Sequence, residues 1–514
     1  MLDSGSGNAA LYFIDRHVAE GRGAKTAYID ADRAITFAGL ADETDRMAGF
    51  YHRLGLPRES RVAMLVLDCI AFPLIFWGSL KAGIVPVCLN TLLSTNQYRF
   101  ILDDCRARVL FVSAALHGTV APLLEGHPTI EHVFIVGGGA GAHPAFEAAL
   151  ADAPPRSALS VTGDETAFWL YSSGSTGMPK GVIHVHASLK GTTDTYARRV
   201  LAICEDDVVF SAAKLFFAYG LGNAMSFPLA VGATTVLYPG RPTPDAMFGV
   251  LETHQPTIFY AVPTLFAAML GAAGDGPVPG MECVRLSVSA GEALPEEIGS
   301  RWRARHGTDI LDGVGSTEML HIFLSNVPGD VVYGSSGVAV PGYEVRLVDE
   351  HDGDVRDGEV GEMLVKGNTA ASAYWNQREK SRRTFLGEWT RTGDKYVRRP
   401  DGRYVYCGRT DDMFKVSGIW VSPFEVESAL ISHPSVLEAA VVPHDDGDGL
   451  LKPKAFVVLA EAARDADRDA LVEALKDHVQ QAAGQWKYPR WIDFVDDLPK
   501  TATGKIQRFK LRGA

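Results

Sequence analysis

Cysteine is scarce and scattered in this sequence: six among 514 residues, at Cys69, Cys88, Cys105, Cys204, Cys283 and Cys407. No two form a CxxC pair, and no Cys/His cluster has the spacing of a zinc module. A disulfide framework and a zinc centre are thereby excluded, and reduced thiols in a cytoplasmic protein are expected. Positive charge is also in deficit: 49 Lys and Arg against 62 Asp and Glu give a formal net charge of −13. No nucleic-acid partner is expected from bulk attraction, and an anionic ligand would need local donors set in loops. The opening MLDSGSGNAALYF has neither the basic region nor the apolar run of a signal peptide. The apolar stretch from Val62 to Leu80 is broken by Asp68 and Pro73 and followed by Lys81 and Gly83. Spans avoid internal charge, so no membrane is expected, and a buried strand followed by a buried helix is predicted there. Repeats and low-complexity linkers are absent as well.

Apolar material, by contrast, is ample. Hydrophobic residues make up 46% and charged residues 22%, the balance of a folded protein. The length predicts two or three domains. Between about 160 and 330, short β-rich runs end in small or polar residues: Ala167–Tyr171, Val208–Ala212, Thr234–Tyr238, Thr257–Val262, Arg285–Ser289 and Asp309–Asp312. Helical patterns follow several of them, for example at Pro263 and near Pro295. This alternation predicts an α/β fold with a parallel sheet, whose ligands sit beyond the carboxyl ends of the strands. After residue 335, Gly342–Val348, Glu359–Lys366 and Arg403–Cys407 read as short strands between Gly/Asp turns. From about 410, helices at Pro423–Ser432 and Arg468–Ala483 and strands at Ala439–Val442 and Lys454–Leu459 read as a small α+β domain. The predicted organisation is a large N-terminal domain over 1–410, of parallel and mixed sheets with helices. It carries a β-rich subdomain at about 335–410, and a mobile C-terminal lid follows over 411–514.

Tyr171–Gly181 reads YSSGSTGMPKG, with three glycines, three serines, a threonine and a lysine in eleven residues after a strand. Glycines let backbone N–H groups approach an anion, hydroxyls add donors, and Lys180 adds charge. The composition suits a triphosphate or pyrophosphate, although a plain Gly/Ser surface loop has the same make-up. It is not a Walker loop, because GxxxxGK[ST] is missing.

This segment resembles the phosphate loop of the adenylate-forming superfamily: acyl-CoA synthetases, peptide-synthetase adenylation domains and luciferases. Four more segments resemble that superfamily's motifs in the same order: Gly315-Ser316-Thr317-Glu318, Thr392-Gly393-Asp394, Gly408–Glu427 and Leu498–Arg508. The resemblance spans essentially the whole chain. It implies ATP, Mg²⁺ and coenzyme A as reactants and cofactors. For ATP it implies Ser172, Ser173, Gly174, Ser175, Thr176, Gly177 and Lys180 in the phosphate loop, then Gly291, Glu292, Asp312 beside the adenine, and Gly313, Val314, Gly315, Ser316 and Thr317. Glu318 would hold Mg²⁺, Asp394 the ribose hydroxyls with Arg409 as its partner, and Lys505 would be the catalytic lysine carried by the lid. Lys500, in the same motif, reads as an ordinary solvated charge. Asp411 resembles the hinge, Gly418 a glycine of the pantetheine tunnel, and Trp420 a neighbour of it.

For the acid, the resemblance implies a pocket of Phe217, Ala218, Tyr219, Ala290, Gly315, His321 and Ile322. Small and bulky walls together suit a flat ring better than a long chain. His321 either hydrogen-bonds a ring substituent or fills the wall, and Lys415 either contacts substrate or coenzyme A or is a surface charge. Three stretches, from the phosphate loop through HVHASL, FFAYGLGN and GSTEMLHIFLSN, most resemble benzoate–CoA ligases. The activity implied is formation of an aryl-adenylate and then an aryl-CoA thioester. The alternatives are a carrier-protein thiol as acceptor, although no carrier domain follows residue 514, or another small acid such as a substituted benzoate. A homodimer is left open.

Overall fold

A computed structural model of the chain describes residues 7–172, 178–274, 276–410, 412–416, 419–445, 451–484, 487–500 and 506–512. Two large sheets and an antiparallel unit form the bulk of it. In the first sheet, Thr166–Ser172, Val85–Cys88, Arg61–Leu65, Val109–Ser113 and His132–Val136 run parallel. Lys180–Val185 and then Ala373–Tyr374 extend it antiparallel at one edge. In the second sheet the parallel core is Thr26–Ile29, Thr234–Val236, Val208–Ser211, Ile258–Ala261, Leu286–Ser289 and Ile310–Gly315. Ile322–Ser325 and Val338–Ala339 continue it antiparallel.

The predicted strands therefore exist, but they divide between two sheets. The run before the phosphate loop belongs to the first, and the runs from 208 to 315 belong to the second. Parallel strands buried on both faces read as unbroken apolar runs, which is why each was visible while its partner was not.

The stretch checked for a membrane span forms strand Arg61–Leu65 and helix Ala71–Lys81. All residues of that helix are buried, in a core that draws on both sheets through Tyr28, Met64, Phe72, Trp77 and Phe111. Lys81 ends it fully enclosed, its ammonium 2.9 Å from Asp15 Oδ1 and 2.6 Å from Asp45 Oδ1. Pairing of this kind is what a buried charge requires. Among the described residues no helix is long and apolar enough to cross a membrane.

Glu344–Val348, Val360–Lys366, Trp389–Arg398, Phe385–Leu386 and Tyr404–Arg409 form a five-stranded antiparallel sheet. Beyond it lies a smaller α+β unit. Helices Pro423–Ile431 and Arg468–Ala483 pack on strands Val436–Asp445, Leu451–Leu459 and Trp491–Phe494 around Val426, Val441, Val457, Leu475 and Val479. Inside this unit, Glu427 is 3% exposed. It accepts two hydrogen bonds from Arg508, at 2.8 and 2.6 Å, and one from Val441 N at 2.8 Å. On the other side of the lysine motif, Gln507 N donates to Pro499 O at 2.7 Å, and Lys500 is bridged to Glu438 at 2.6 Å.

Candidate active site

The strands on either side of the phosphate-loop segment, Thr166–Ser172 and Lys180–Val185, pair antiparallel. Ser172, closing Thr166–Ser172, stands directly opposite Lys180, opening Lys180–Val185. The connecting residues Ser173, Gly174, Ser175, Thr176 and Gly177 lie outside the described residues. Ser172 Oγ is buried and has no hydrogen-bond partner among the described residues. A hydroxyl left in that condition is uncommon unless a ligand or water completes it.

From this strand pair, Lys180 reaches across to the other large sheet. Its Nζ lies 3.0 Å from Glu318 Oε1 and 3.0 Å from the Tyr374 hydroxyl, which itself donates to Glu318 Oε1 at 2.8 Å. The ammonium also sits 4.3 Å from the centre of the Tyr374 ring. Burial alone would raise the Glu318 carboxyl. The charge of Lys180 and the hydroxyl of Tyr374 outweigh it and hold the group below the usual carboxylate range.

The turn that carries Glu318 connects Ile310–Gly315 to Ile322–Ser325 and is pinned from three sides. His184 Nε2 donates to Thr317 O at 2.8 Å, Ala371 N to Glu318 O at 2.7 Å, and Thr369 Oγ1 to Met319 O at 2.9 Å. Ser316 Oγ accepts from Met319 N at 3.1 Å. Leu320 is forced to a φ of +68°, a left-handed conformation that non-glycine residues adopt at a cost of order 1 kcal/mol. His184 is fully buried, and burial lowers its pKa to about 4, so it serves here as a neutral donor.

Asp312 sits in strand Ile310–Gly315, in register with Ser289. It is 4% exposed, and its Oδ1 has no partner among the described residues. Burial pushes this carboxyl well above the usual range, against the pull of backbone N–H groups at Leu294 and Gly313. Gly291 follows strand Leu286–Ser289 with φ +98°, which only glycine takes without strain. Glu292 beside it is half-buried. Asp394 and Arg409 face each other across paired strands, Arg409 Nη1 lying 3.0 Å from Asp394 Oδ1. The Asp394 charge raises the Arg409 pKa further.

Several residues predicted to line an acid pocket lie close together. Tyr219 donates to Val288 O at 3.0 Å, and its ring lies 5.6 Å from that of His321. His321 is 2% exposed and packs on Phe227 at 4.4 Å and Tyr196 at 5.5 Å. Its Nε2 donates to Tyr219 O at 3.2 Å and Asn223 Oδ1 at 3.1 Å, and burial lowers its pKa to about 3. Its Nδ1 is buried and has no partner among the described residues, so the packing accounts for the ring faces and Nε2 but does not choose between the two readings of His321. A Cβ on Gly315 would fall 2.5 Å from His321 O, so that position needs glycine. Ala218, Ala290 and Ile322 are buried. Phe217 is half-buried against Phe216, the ring centres 4.3 Å apart.

Lys505, Asp411 and Gly418 lie outside the described residues, as do the side chains of Lys415 and Trp420. Three participants escaped the sequence reading: Tyr374, His184 and Asn223. His184 stood in HVHASL and Asn223 in FFAYGLGN, both stretches already singled out, whereas Tyr374 stood in none.

Residues 15–375 match the family described as AMP-binding enzyme, and residues 425–505 match the AMP-binding enzyme C-terminal domain. The chain is similar to a 4-hydroxybenzoate–CoA/benzoate–CoA ligase of Rhodopseudomonas palustris, at 54% identity over 98% of this chain and 94% of the relative. It is 55% identical to a benzoate–CoA ligase of Thauera aromatica, over 99% of this chain and 96% of the relative. Among solved structures, a benzoate CoA ligase from Burkholderia xenovorans LB400 superposes with a TM-score of 0.91 at 50% identity, covering 98% of this chain and 99% of that one.

Proposed function

The chain belongs to the AMP-binding enzyme family, and on that premise we propose that it is an ATP-dependent aromatic acid–CoA ligase with benzoate as its preferred acid. A carboxylate is a poor electrophile, because its charge repels nucleophiles and oxide is a bad leaving group. Attack of the carboxylate oxygen on the α-phosphate of ATP forms the aryl-adenylate and expels pyrophosphate. The thiol of coenzyme A then displaces AMP. Two anions meet in the first step, so placed cations and donors carry the catalysis.

The observation that carries this reading is the meeting of Lys180 and Glu318, 138 residues apart in sequence, beside the glycine-rich segment. Lys180, Ser172 and the loop between them take the phosphates, with Thr317 as a further donor. Asp394, oriented by Arg409, accepts from the ribose hydroxyls, and Asp312, whose Oδ1 has no partner among the described residues, faces the adenine with Gly291, Glu292 and residues Gly313, Val314, Gly315 and Ser316 around it. Lys505 bridges the two anions during adenylation, and rotation at Asp411 then presents Gly418 and Trp420 to the pantetheine arm.

Glu318 is the residue that would hold Mg²⁺. Among the described residues no three His, Cys, Asp or Glu side chains converge. One half-buried carboxylate nonetheless fits Mg²⁺, which keeps waters and takes its other ligands from substrate phosphates. When bound, the ion would neutralise charge on the triphosphate.

The walls at Ala218, Ala290 and Gly315 against Tyr219, His321 and Ile322 favour a flat ring. An AMP-release assay on benzoate, hydroxy- and fluorobenzoates, cyclohexane carboxylate and hexanoate, with and without coenzyme A, tests the whole reading. The highest kcat/KM is expected for benzoate, with coenzyme A required for turnover. A higher value for hexanoate would overturn the aromatic assignment, and thioester formation only on a carrier protein would overturn the acceptor.

A further inference from the structure

Lys180 and Glu318 have roles in the reading above, while the third member of their triangle has none. Tyr374 belongs to the two-residue strand Ala373–Tyr374, laid on Val182 and Ile183 of the strand that Lys180 opens. Its side chain is 4% exposed and packs on Phe385, the ring centres 5.3 Å apart. One hydroxyl serves both neighbours: it donates to Glu318 Oε1 at 2.8 Å and accepts from Lys180 Nζ at 3.0 Å. The ring face lies against the same ammonium, 4.3 Å away.

That arrangement addresses a conflict built into the site. A phosphate-loop lysine must give its charge to phosphate oxygens, and Glu318 must give its own to a cation on the triphosphate. Paired with each other at 3.0 Å, they cancel. Parting them would strand a buried carboxylate, which is costly unless another donor remains. Tyr374 is that donor, and its ring keeps the departing ammonium in a favourable cation–π position.

We propose that Tyr374 is a positioning residue for MgATP: its hydroxyl stays on Glu318 while Lys180 swings from the carboxylate to the triphosphate. The inference rests on the proposed roles of Lys180 and Glu318 as triphosphate ligands.

Tyr374→Phe in the full-length chain removes only the hydroxyl and keeps the ring on Phe385 and Lys180. Isothermal titration calorimetry with MgATP and with AMP, in the absence of any acid, reads the effect directly. MgATP binding is expected to weaken about tenfold, because the unliganded variant keeps Lys180 on Glu318 whereas the liganded one leaves that carboxylate without a protein donor. AMP, which lacks the β- and γ-phosphates, is expected to bind within twofold of the parent, with the melting temperature lowered only by the loss of the one hydroxyl's hydrogen bonds. MgATP affinity within twofold of the parent overturns the inference. So does an equal loss for AMP and MgATP, since that marks a merely structural role. A parent protein that binds MgATP but activates no aromatic acid overturns the proposed function instead and leaves the Tyr374 comparison readable.

Discussion

Replacing His321 with Gln separates packing from charge at the wall of the proposed acid pocket. The imidazole is buried among Phe227, Tyr196 and Tyr219, and it donates one hydrogen from Nε2 to two acceptors. Burial lowers its pKa from 6.5 to about 3, so the folded protein keeps it neutral where the unfolded chain would take up a proton. Its contribution is therefore complete above pH 6.5 and is lost as pH falls toward 3. From pH 6.5 to 5 the loss is about 1.5 pH units at ~1.4 kcal/mol each, or about 2 kcal/mol. Gln supplies a comparable N–H donor and cannot titrate. Parent and His321→Gln should then differ by about 1–2 kcal/mol at pH 7, from lost ring contacts. The gap should close by about 2 kcal/mol at pH 5. Urea unfolding followed by tryptophan fluorescence at both pH values measures it. A gap that does not change with pH refutes the reasoning, because it would mean that His321 is protonated as readily in the folded protein as in the unfolded chain.

Other substitutions probe other links. Lys505→Ala should cut acid-dependent pyrophosphate–ATP exchange by about 100-fold or more, while coenzyme A still reacts with preformed aryl-adenylate; equal losses in both half-reactions would remove the lysine from its role. Gly315→Ala puts a methyl 2.5 Å from His321 O and 2.8 Å from Ile322 N. It should raise KM for the acid and lower stability by about 1–3 kcal/mol, and steady-state kinetics together with calorimetry would expose a tolerant site. Glu427→Gln removes the charged partner of Arg508 and should loosen the small C-terminal unit by about 3–5 kcal/mol. Limited proteolysis mapped by mass spectrometry should find cuts beyond residue 412 first, and an unchanged digestion pattern would count against the pair.

The strands flanking the site could be read in advance because each is a short apolar run ended by Gly, Ser or Asp. Val208–Ser211, Leu286–Ser289 and Ile310–Gly315 emerge within a few residues of their expected places. Pairing was harder to see. KGVIHV gave no cue that it returns antiparallel on Thr166–Ser172, since a Gly/Ser loop carries no record of which strand follows it. Tyr374 was invisible for a related reason: its partners stand 194 and 56 positions away, and nothing in SAYWNQ marks the tyrosine among other buried aromatics. The surroundings of His321 were not legible, because the rings of Tyr196, Tyr219 and Phe227 and the acceptor Asn223 reach it only through the fold.

The dipeptide Ala373–Tyr374 is also the edge strand of the seven-stranded sheet, and it covers the middle of Lys180–Val185, which would otherwise present an open ladder of backbone groups. Peeling it away would leave Lys180–Val185 free to recruit a strand from another molecule, and would withdraw the tyrosine hydroxyl in the same movement. A change that loosens this short clasp should therefore register twice, as weakened nucleotide handling that persists on dilution and as a tendency to self-associate that dilution relieves.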